Sequence, residues 1–423
     1  MTQPPLALDV SRLLWRAIRK APGGIDRLEL AMARHLLADE PSARFVFTDG
    51  GALRLVKRAA LQRVIGAAAS RWEGKPGDAG CRRVTAYLAG DDHAFAPAHP
   101  RWVDRRVPLV DLARSTAAGI LYHRGAFEHA PLEDLLGMAY MNLSHRNLDN
   151  PLILPALGRF SRALCYLHDD IPLRQPSFAA PGLEASFRRM MRHLAQRPLR
   201  IVTNSQASRL RLIESASHLG LRLNRVDVVP PPVAEVFSSC ASPAVPARCF
   251  FLLPGLITAR KNIGLILRAC REMSGDDLTF DLVLAGAPGL DAAAVLVELG
   301  KPPPGIRLLR AEGLSDHAMA LLAQGARAVL APSLDEGFDY PVHEALAGGV
   351  PVLASDIPAH REYVEGYAEL LDPHDAAAWG QALREFIPAA SPRRGAALVA
   401  AERFSSPSPA RLMRQLAELA RDA

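Results

Sequence analysis

The stretch ARAVLAPSLDEGFDYPVHEALAGGVPVLASD, residues 326–356, decides the fold of this chain. It opens with an apolar run over 326–331, continues through a polar loop, and closes with a second apolar run over 350–354. Between the runs, Pro341 suits the first position of a helix, because its missing amide hydrogen would find no partner there. The pair Gly348–Gly349 supplies the backbone conformation that ends a helix. The pattern therefore predicts a strand-helix-strand unit of a parallel sheet.

Two glutamates flank the start of this helix, Glu336 in the loop and Glu344 in the helix, with seven residues between them. Both carboxylates are expected near the carboxyl end of one strand, the edge where open parallel sheets bind ligands. The helix start offers free amide hydrogens that suit a phosphate or a sugar hydroxyl, and carboxylates accept hydrogen bonds from such hydroxyls. The alternative is a surface helix with two solvated acids.

The same stretch resembles the E-x7-E signature of retaining glycosyltransferases with the GT-B fold, in particular family 4, whose usual form is PSxxEGFGxPxxEAxAxGxPVxASD. The resemblance implies an α/β fold of two Rossmann-like domains, whose parallel sheets face an interdomain cleft. It also implies that Glu336 binds the hydroxyls of the transferred sugar and that Glu344 binds the ribose of a nucleotide diphosphate sugar. The matching positions are Pro332, Ser333, Glu336, Gly337, Phe338, Pro341, Glu344, Ala345, Ala347, Gly349, Pro351, Val352, Ala354, Ser355 and Asp356.

One position departs from the family form. Where family 4 usually has a second glycine after Phe338, this chain has Asp339, followed by Tyr340. The backbone amides of this loop face the donor sugar in the family, so the resemblance places Gly337, Phe338, Asp339 and Tyr340 at the donor. A carboxylate there changes the room or the charge beside the sugar. The donor is therefore left open between mannose from GDP-mannose, which subgroup likeness favours, and UDP-linked sugars.

A cationic loop precedes the acidic pair by about 75 residues. The segment from Gly255 to Asn262 resembles the G-x4-RKN loop of the family, which implies that Arg260 and Lys261 lie beside the donor phosphates. Fixed cations stabilise the negative charge that a departing diphosphate leaves behind. A metal ion held by an Asp-x-Asp motif is the other way to stabilise this negative charge. The sequence contains no such triplet. We therefore expect a reaction without a metal or other cofactor.

The first half of the chain also presents polar residues where predicted strands end. The pair Gly23–Gly24 precedes an amphipathic helix and resembles the tGIDRvelela opening of bacterial family members, whose glycine loop approaches the donor diphosphate. Without that likeness the pair is only a turn. The segments YMNLSH, YLHDDIP and IVTNS resemble family strand ends as well. The resemblance of YLHDDIP implies that His168 lies in the cleft and hydrogen-bonds the transferred sugar or the acceptor. The alternative is a structural role, because a lone histidine after a strand is more often a packing or capping group. Ser205 is interpreted as a helix N-cap or as part of the site.

Length and composition fit a two-domain enzyme with anionic partners. The 423 residues exceed one ordinary core, and the formal charge of +6 suits nucleotide diphosphates, lipid headgroups or nucleic acid. Nucleic acid is the least supported of these three partners, because no zinc-finger or RNA-binding signature occurs, and we expect no nucleic-acid partner. Five scattered cysteines argue against a disulfide framework. The N-terminus lacks the features of a signal peptide, which indicates a cytoplasmic protein.

Composition breaks set the predicted boundaries. The prolines at 230–232 begin a linker, so we predict a first domain over 1–235 and a second over 246–404, and the resemblance implies that a C-terminal helix at 405–423 crosses back to the first. Residues 53–69 are predicted to be helical, and the polar stretch 71–100 to be a loop.

Two basic segments allow peripheral association with the inner face of the membrane or with a phosphorylated lipid acceptor. They are RWVDRRVPLVDLARS, residues 101–115, and FRRMMRHLAQR, residues 187–197. The alternative for both segments is that their basic side chains are simply exposed to solvent. In residues 187–197, the methionine side of the helix would then pack against the protein.

These patterns lead to one prediction of function: a retaining hexosyltransferase that moves a sugar from a nucleotide diphosphate to a saccharide or lipid-linked acceptor in polysaccharide synthesis. Retention requires either a carboxylate nucleophile or attack from the face of departure; the resemblance implies the second. The alternatives are a catalytically silent subunit that binds nucleotide sugars, suggested by Asp339, and a nucleotide-sugar epimerase of the same architecture.

Overall fold

The computed structural model describes residues 3–19, 21–49, 52–98, 125–127, 132–197, 199–240, 245–273, 278–289 and 292–423. The chain divides into two compact units, each formed from separate segments. The first unit comprises Met1–Ser70, Val107–Pro232 and Pro407–Ala423, and the second comprises Arg71–Arg106 and Val233–Ser406.

The described residues contain strands that alternate with helices along most of the chain. The strands are β1 (Leu6–Asp9), β2 (Arg44–Asp49), β3 (Ala52–Leu55), β4 (Ala96–Pro97), β5 (Ala139–Asn142), β6 (Arg162–Leu167), β7 (Arg200–Thr203), β8 (Arg225–Val228), β9 (Phe250–Pro254), β10 (Phe280–Ala285), β11 (Ile306–Arg310), β12 (Val329–Ala331), β13 (Val352–Ser355) and β14 (Glu369–Leu371).

The α-helices range from one turn to more than four. They are α1 (Ser11–Arg16), α2 (Gly24–Asp39), α3 (Arg58–Glu73), α4 (Ala79–Leu88), α5 (Leu154–Leu157), α6 (Ile171–Arg174), α7 (Leu183–Ala195), α8 (Gln206–His218), α9 (Val236–Ser239), α10 (Ile263–Glu272), α11 (Ala293–Leu299), α12 (Asp316–Gly325), α13 (Tyr340–Ala347), α14 (Pro358–Val364), α15 (Ala376–Phe386), α16 (Pro392–Glu402) and α17 (Pro409–Arg421).

The sheet of the first unit has the strand order β3-β2-β1-β5-β6-β7-β8. Only β3 runs antiparallel to its neighbour among these strands; the other pairs are parallel. Parallel pairing aligns the carboxyl ends of β1, β5, β6 and β7 along one edge of the sheet. The polar residues at or just after those ends are Asp9, Asn142, His168 and Asn204, all buried.

The sheet of the second unit has the order β14-β13-β12-β9-β10-β11-β4 and is parallel except for β4. Successive residues of β9 point to opposite faces. Phe251 and Leu253 enter the core that contains Trp379, whereas Phe250 and Leu252 enter the core that contains Tyr87. Helices cover both faces, which explains why the strands read as continuous apolar runs. Full burial of each such side chain contributes about 1.5–3 kcal/mol.

The stretch 71–98 differs from its prediction as a loop. It forms the end of α3, the helix α4 and the strand β4, which pairs antiparallel with β11. The side chain of Asp78 caps α4 by accepting a hydrogen bond from Cys81 N at 2.8 Å. The described part of 71–98 belongs to the second unit, whereas the predicted boundary at 235 assigns it to the first domain. The long-range pairing of β4 has no local sequence signature, which explains the error.

Other boundaries shift less. Residues 52–55, predicted as the start of a helix, instead form β3, and the helix begins at Arg58. The C-terminal helix α17 belongs to the first unit, where it packs against α2 and β6 and pairs Arg421 with Glu40 at 2.6 Å. No helix within the described residues is long and apolar enough to cross a bilayer, and no disulfide joins the five cysteines.

The two basic segments have different outcomes. The segment 101–115 lies outside the described residues. In α7, Met190 and Met191 are buried in the core of the first unit. The methionine side of this helix is therefore a packing face, which is the alternative interpretation of that segment.

Candidate functional site

The loop after β9 carries the predicted cationic pair. Gly255 has a φ of 105°, a conformation that favours glycine. A short 3₁₀ turn over Ala259–Lys261 follows. Asn262 then adopts the left-handed conformation, with a φ of 51°, and its side-chain amide, through Nδ2, donates to the carbonyl of Pro373 at 2.9 Å. Asparagine tolerates this conformation, which turns the chain from the 3₁₀ turn into α10.

The loop after β12 brings Glu336 against both cations. Its Oε1 atom lies 2.5 Å from Nη1 of Arg260 and 2.9 Å from Nζ of Lys261. Ser333 donates its hydroxyl to the same oxygen at 3.0 Å. Arg260 also donates to the carbonyl of Asp335 at 2.6 Å. The carboxylate is therefore held by three donors, and the predicted proximity of the acidic and cationic loops is confirmed within the second unit.

Asp339, where the family usually has glycine, keeps the backbone geometry of glycine. Its φ is 62°, a left-handed value that aspartate tolerates better than most residues. Its Oδ1 accepts a hydrogen bond from Nζ of Lys261 at 2.7 Å, and its Oδ2 lies 3.3 Å from Nε2 of His360. The departure from the family form thus adds a carboxylate that binds one of the two cations.

The electrostatics of this network favour its charged forms. Burial alone would raise the pKa of Asp339, but the Lys261 ammonium and His360 hold that pKa well below its ordinary value. Burial would likewise lower the pKa of Lys261, but the carboxylates of Asp339 and Glu336 raise it. The acids are the more buried members: the side chains of Glu336 and Asp339 are 8% and 1% exposed, against 23% and 13% for Arg260 and Lys261. The surface of the network is therefore cationic.

The rest of the acidic motif packs around α13. Phe338 is buried, stacks on His343 with ring centroids 3.7 Å apart, and meets Tyr340 edge to face. Burial lowers the pKa of His343 to about 4, so this ring is neutral. Gly337 is buried in the same loop. Glu344 is buried on α13 and lines a small pocket with Pro254 and Pro341 among apolar neighbours.

In the first unit, the predicted glycine pair begins a helix. Gly23 is the N-cap of α2 and Gly24 its first residue, and Gly23 N donates to the buried Asp26 carboxylate at 2.7 Å. Asp26 also binds Nε of Arg12 at 3.0 Å and Nε of Arg16 at 3.2 Å. A short helix, α1, separates β1 from this turn, so the glycines do not follow the strand directly.

His168 is buried after β6. Its Nε2 donates to the carbonyl of Leu143 at 2.8 Å, and its ring lies 6.1 Å from that of His145. Burial lowers the pKa of His168 to about 4 and that of His145 to about 3, so both rings are neutral at pH 7. Ser205 caps α8 by accepting from Ser208 N at 3.0 Å, which confirms the N-cap interpretation.

The predicted site residues thus fall into two groups. The second unit brings together Arg260, Lys261, Glu336 and Asp339, with Gly255, Gly337, Phe338, Tyr340 and Glu344 on the same two loops and α13. Gly23, Gly24 and His168 lie in the first unit. The sequence analysis did not identify His360 as a site residue. The aspartate at position 339 could have indicated it, because a buried carboxylate needs a hydrogen-bonding or charged partner. In the described part of the chain, no group of His, Cys, Asp and Glu is arranged to hold a metal ion.

Comparison with known sequences points to one family. Residues 248–388 match the family model described as Glycosyl transferases group 1. The serotype-specific mannosyltransferase WbdA of Escherichia coli is 25% identical over 235 residues, which cover 50% of this chain and 28% of WbdA. The O-antigen chain mannosyltransferase RfbU of Salmonella typhimurium is 37% identical over 71 residues, 17% of this chain and 20% of RfbU. The chain thus matches only a minor part of the length of these relatives.

Solved structures establish the architecture. The crystal structure of Anabaena Alr3699/HepE in complex with UDP-glucose aligns with 99% of this chain and 100% of its own, with a TM-score of 0.59 and 16% identity. At that identity the likeness concerns the fold alone. The predicted α/β fold of the GT-B class is confirmed, with two largely parallel sheets.

Proposed function

We propose that this chain, whose residues 248–388 form a glycosyl transferases group 1 domain, is a retaining hexosyltransferase. It moves a sugar from a nucleotide diphosphate to a saccharide or lipid-linked saccharide in the synthesis of a polysaccharide. The reaction uses no metal ion, because the cations of the protein itself stabilise the departing diphosphate.

One observation carries the proposal: two cations share a buried carboxylate while keeping the more exposed positions of the network. Arg260 and Lys261 both contact Oε1 of Glu336, and both are more exposed than Glu336. Cleavage of the bond between an anomeric carbon and a diphosphate develops negative charge on the phosphate oxygens. Preorganised cations that face that charge lower the barrier without reorganisation.

The environment of Glu336 supports attack from the face of departure. One carboxylate oxygen of Glu336 is engaged by three donors, Arg260, Lys261 and Ser333, which makes that oxygen a poor nucleophile. In the proposed mechanism Glu336 orients the hydroxyls of the transferred sugar, and the leaving phosphate takes the proton of the acceptor. Glu344 binds the ribose. His168, neutral and buried, hydrogen-bonds the sugar or the acceptor.

The names of the relatives support mannose as the transferred sugar. WbdA and RfbU are both named mannosyltransferases, and for this reason GDP-mannose is the first donor that we propose to test. The HepE structure holds UDP-glucose, which keeps UDP-linked sugars second. A saccharide that grows on a lipid carrier at the inner face of the membrane is the proposed acceptor, in keeping with the O-antigen role in the name of RfbU.

The test is turnover of a panel of nucleotide sugars by the purified protein in the presence of EDTA. We expect release of the nucleoside diphosphate from at least one donor, GDP-mannose first, with retained anomeric configuration in the product. Lys261→Ala is expected to reduce the rate by about 10²–10³-fold. Lys301→Ala, which removes an exposed lysine of the same unit, is the matched control and keeps the full rate. Binding without turnover of every donor would instead identify a silent subunit.

A further inference from the structure

His360 lies at the end of a chain of contacts that starts at the two partly buried cations, Arg260 and Lys261. It belongs to α14, which follows β13, and its side chain is fully buried. Its Nδ1 lies 2.8 Å from the carbonyl oxygen of Ser355, and its Nε2 lies 3.3 Å from Oδ2 of Asp339. Through Asp339 it reaches Nζ of Lys261, on the loop after β9. Three neighbouring strand ends are therefore joined by one polar network.

Both ring nitrogens of His360 face oxygen atoms that carry no hydrogen. A neutral imidazole has a single N–H group, so it would leave one lone pair against a carbonyl or a carboxylate. The imidazolium form donates to both oxygens. The charged and titratable groups near the ring are Asp339, Lys261 behind it, and the neutral His343 on α13. Asp339 is the group in direct contact.

A charge count shows what this ring adds. Arg260 and Lys261 are balanced by Glu336 and Asp339, so the four groups alone present no net charge to an anion. Asp339 would then compete with a diphosphate for Lys261. An imidazolium at His360 engages the second oxygen of Asp339 and leaves the network with a net positive charge. The contact with His360 thus explains how the loop can hold an aspartate at position 339, where the family form usually has glycine.

We propose that His360 is a positioning residue of the transfer reaction: by holding the Asp339 carboxylate, it fixes Lys261 beside Glu336 and keeps its charge available to the leaving diphosphate. The inference rests on the proposed function, because it names a residue that tunes the same site. His360 itself acts through Asp339 and does not contact the substrate.

Kinetics of single and double variants test the linkage. His360→Gln keeps a hydrogen-bonding side chain but no charge, and Asp339→Asn keeps the shape of the aspartate. We expect each to lower kcat for donor turnover by about 10- to 100-fold, less than loss of a direct contact to the developing charge, while the donor KM changes little. Because His360 acts through Asp339, the double variant should be no slower than the slower single variant.

His317→Gln is the matched control. This histidine lies on α12 of the same unit and also bonds a backbone carbonyl, that of Glu73, at 3.1 Å. It should keep wild-type kinetics. Wild-type kinetics for His360→Gln, or losses that multiply in the double variant, would overturn the proposal.

A spectroscopic measurement tests the contact between His360 and Asp339 with a readout that does not depend on activity. In the wild-type protein labelled with ¹⁵N-histidine, the resonances absent from His360→Gln identify His360 at pH 7. We expect both of its ring nitrogens to carry protons, and Asp339→Asn to convert the ring to the neutral form. A singly protonated ring in the wild type refutes the positioning role. Absence of turnover for every donor, with a doubly protonated ring, refutes the proposed function alone.

Discussion

Asp339 shows how one side chain couples the charge of the site to the stability of its domain. Its carboxylate is almost completely buried, yet its contacts with Lys261 and His360 keep its pKa well below the ordinary value. A carboxyl group whose pKa is depressed by folding stabilises the folded state above its unfolded pKa of about 3.9. That stabilisation is lost as the pH falls towards the folded pKa.

The corresponding prediction concerns Asp339→Asn. At pH 7 the variant should be less stable than the wild type by about 3 kcal/mol, since it removes the buried carboxylate that contacts both Lys261 and His360, although Lys261 keeps its contact with Glu336. The difference should shrink as the pH falls from 5 to 3, because the unfolded wild-type chain then binds a proton at Asp339 whereas the folded protein, in which the pKa of Asp339 is lower, does not. Urea denaturation at a series of pH values measures both quantities. A difference that stays constant over this range would contradict the assigned charges.

The two glutamates of the acidic motif should respond differently to a nucleoside diphosphate. Glu336 already accepts from Arg260, Lys261 and Ser333, and its assigned ligand is the transferred sugar, which the diphosphate lacks. Glu344→Ala should weaken binding of GDP or UDP by about 10-fold or more, through loss of a charged hydrogen bond to the ribose. Glu336→Ala should leave it unchanged or tighter. Isothermal titration decides, and equal weakening would remove the role assignment.

At the scale of single residues, sequence reasoning located the cations and acids but not their partner. Arg260, Lys261, Glu336 and Asp339 follow from motif positions. The contact between Asp339 and His360 joins the loop after β12 to the helix after β13, and no local pattern encodes it. Only the buried carboxylate that replaces a glycine indicated that a partner was required.

At the scale of elements, the decisive stretch folds nearly as predicted. The strands expected at 326–331 and 350–354 are observed as Val329–Ala331 and Val352–Ser355, and the helix begins one residue before Pro341. Gly349 has a φ of 69°, so a glycine is required where the helix ends. Local capping chemistry and periodicity were sufficient here, because each boundary is marked by a residue with a particular backbone conformation.

The segment 71–98 could not be predicted in the same way. Its helix α4 buries Val84, Tyr87 and Leu88, but β4 is only two residues long and its pairing partner lies more than 200 residues away. The hydroxyl of Tyr87 donates to the buried Asp281 of β10 at 2.9 Å. Arg307 of β11 binds both oxygens of the same carboxylate at 2.7 Å. A long-range polar cluster thus fixes this segment to the second sheet.

Tyr87→Phe tests that attachment. Loss of a hydrogen bond to a buried charge should lower the free energy of unfolding of the second unit by about 1.5–3 kcal/mol. Folding should survive, because Arg307 still neutralises Asp281. Urea denaturation measures the loss, and Tyr367→Phe, a half-buried tyrosine of the same unit, is the control with little expected effect. Equal effects of the two substitutions would show that the hydroxyl of Tyr87 does not hold the segment.

At the scale of the whole molecule, the family resemblance predicted two largely parallel sheets, and the alternation of strands and helices along the chain agreed with it. The assignment of segments to the two units was harder. The first unit takes its last helix, α17, from the C-terminus, and the second takes 71–98 from within the first half of the chain. Apolar periodicity reports that a segment is buried but not which core receives it. The family resemblance supplied the return of α17, and nothing in the sequence supplied the second exchange.

The most direct test of the account is a crystal structure of the protein with bound GDP or UDP. The central claim is that Arg260 and Lys261 form the diphosphate site of a sugar-nucleotide donor. It predicts phosphate oxygens within hydrogen-bonding distance, about 3 Å, of Nζ of Lys261 and the guanidinium of Arg260, with a ribose hydroxyl on Glu344. A nucleotide bound elsewhere, with Lys261 still engaged only by Glu336 and Asp339, would contradict the claim.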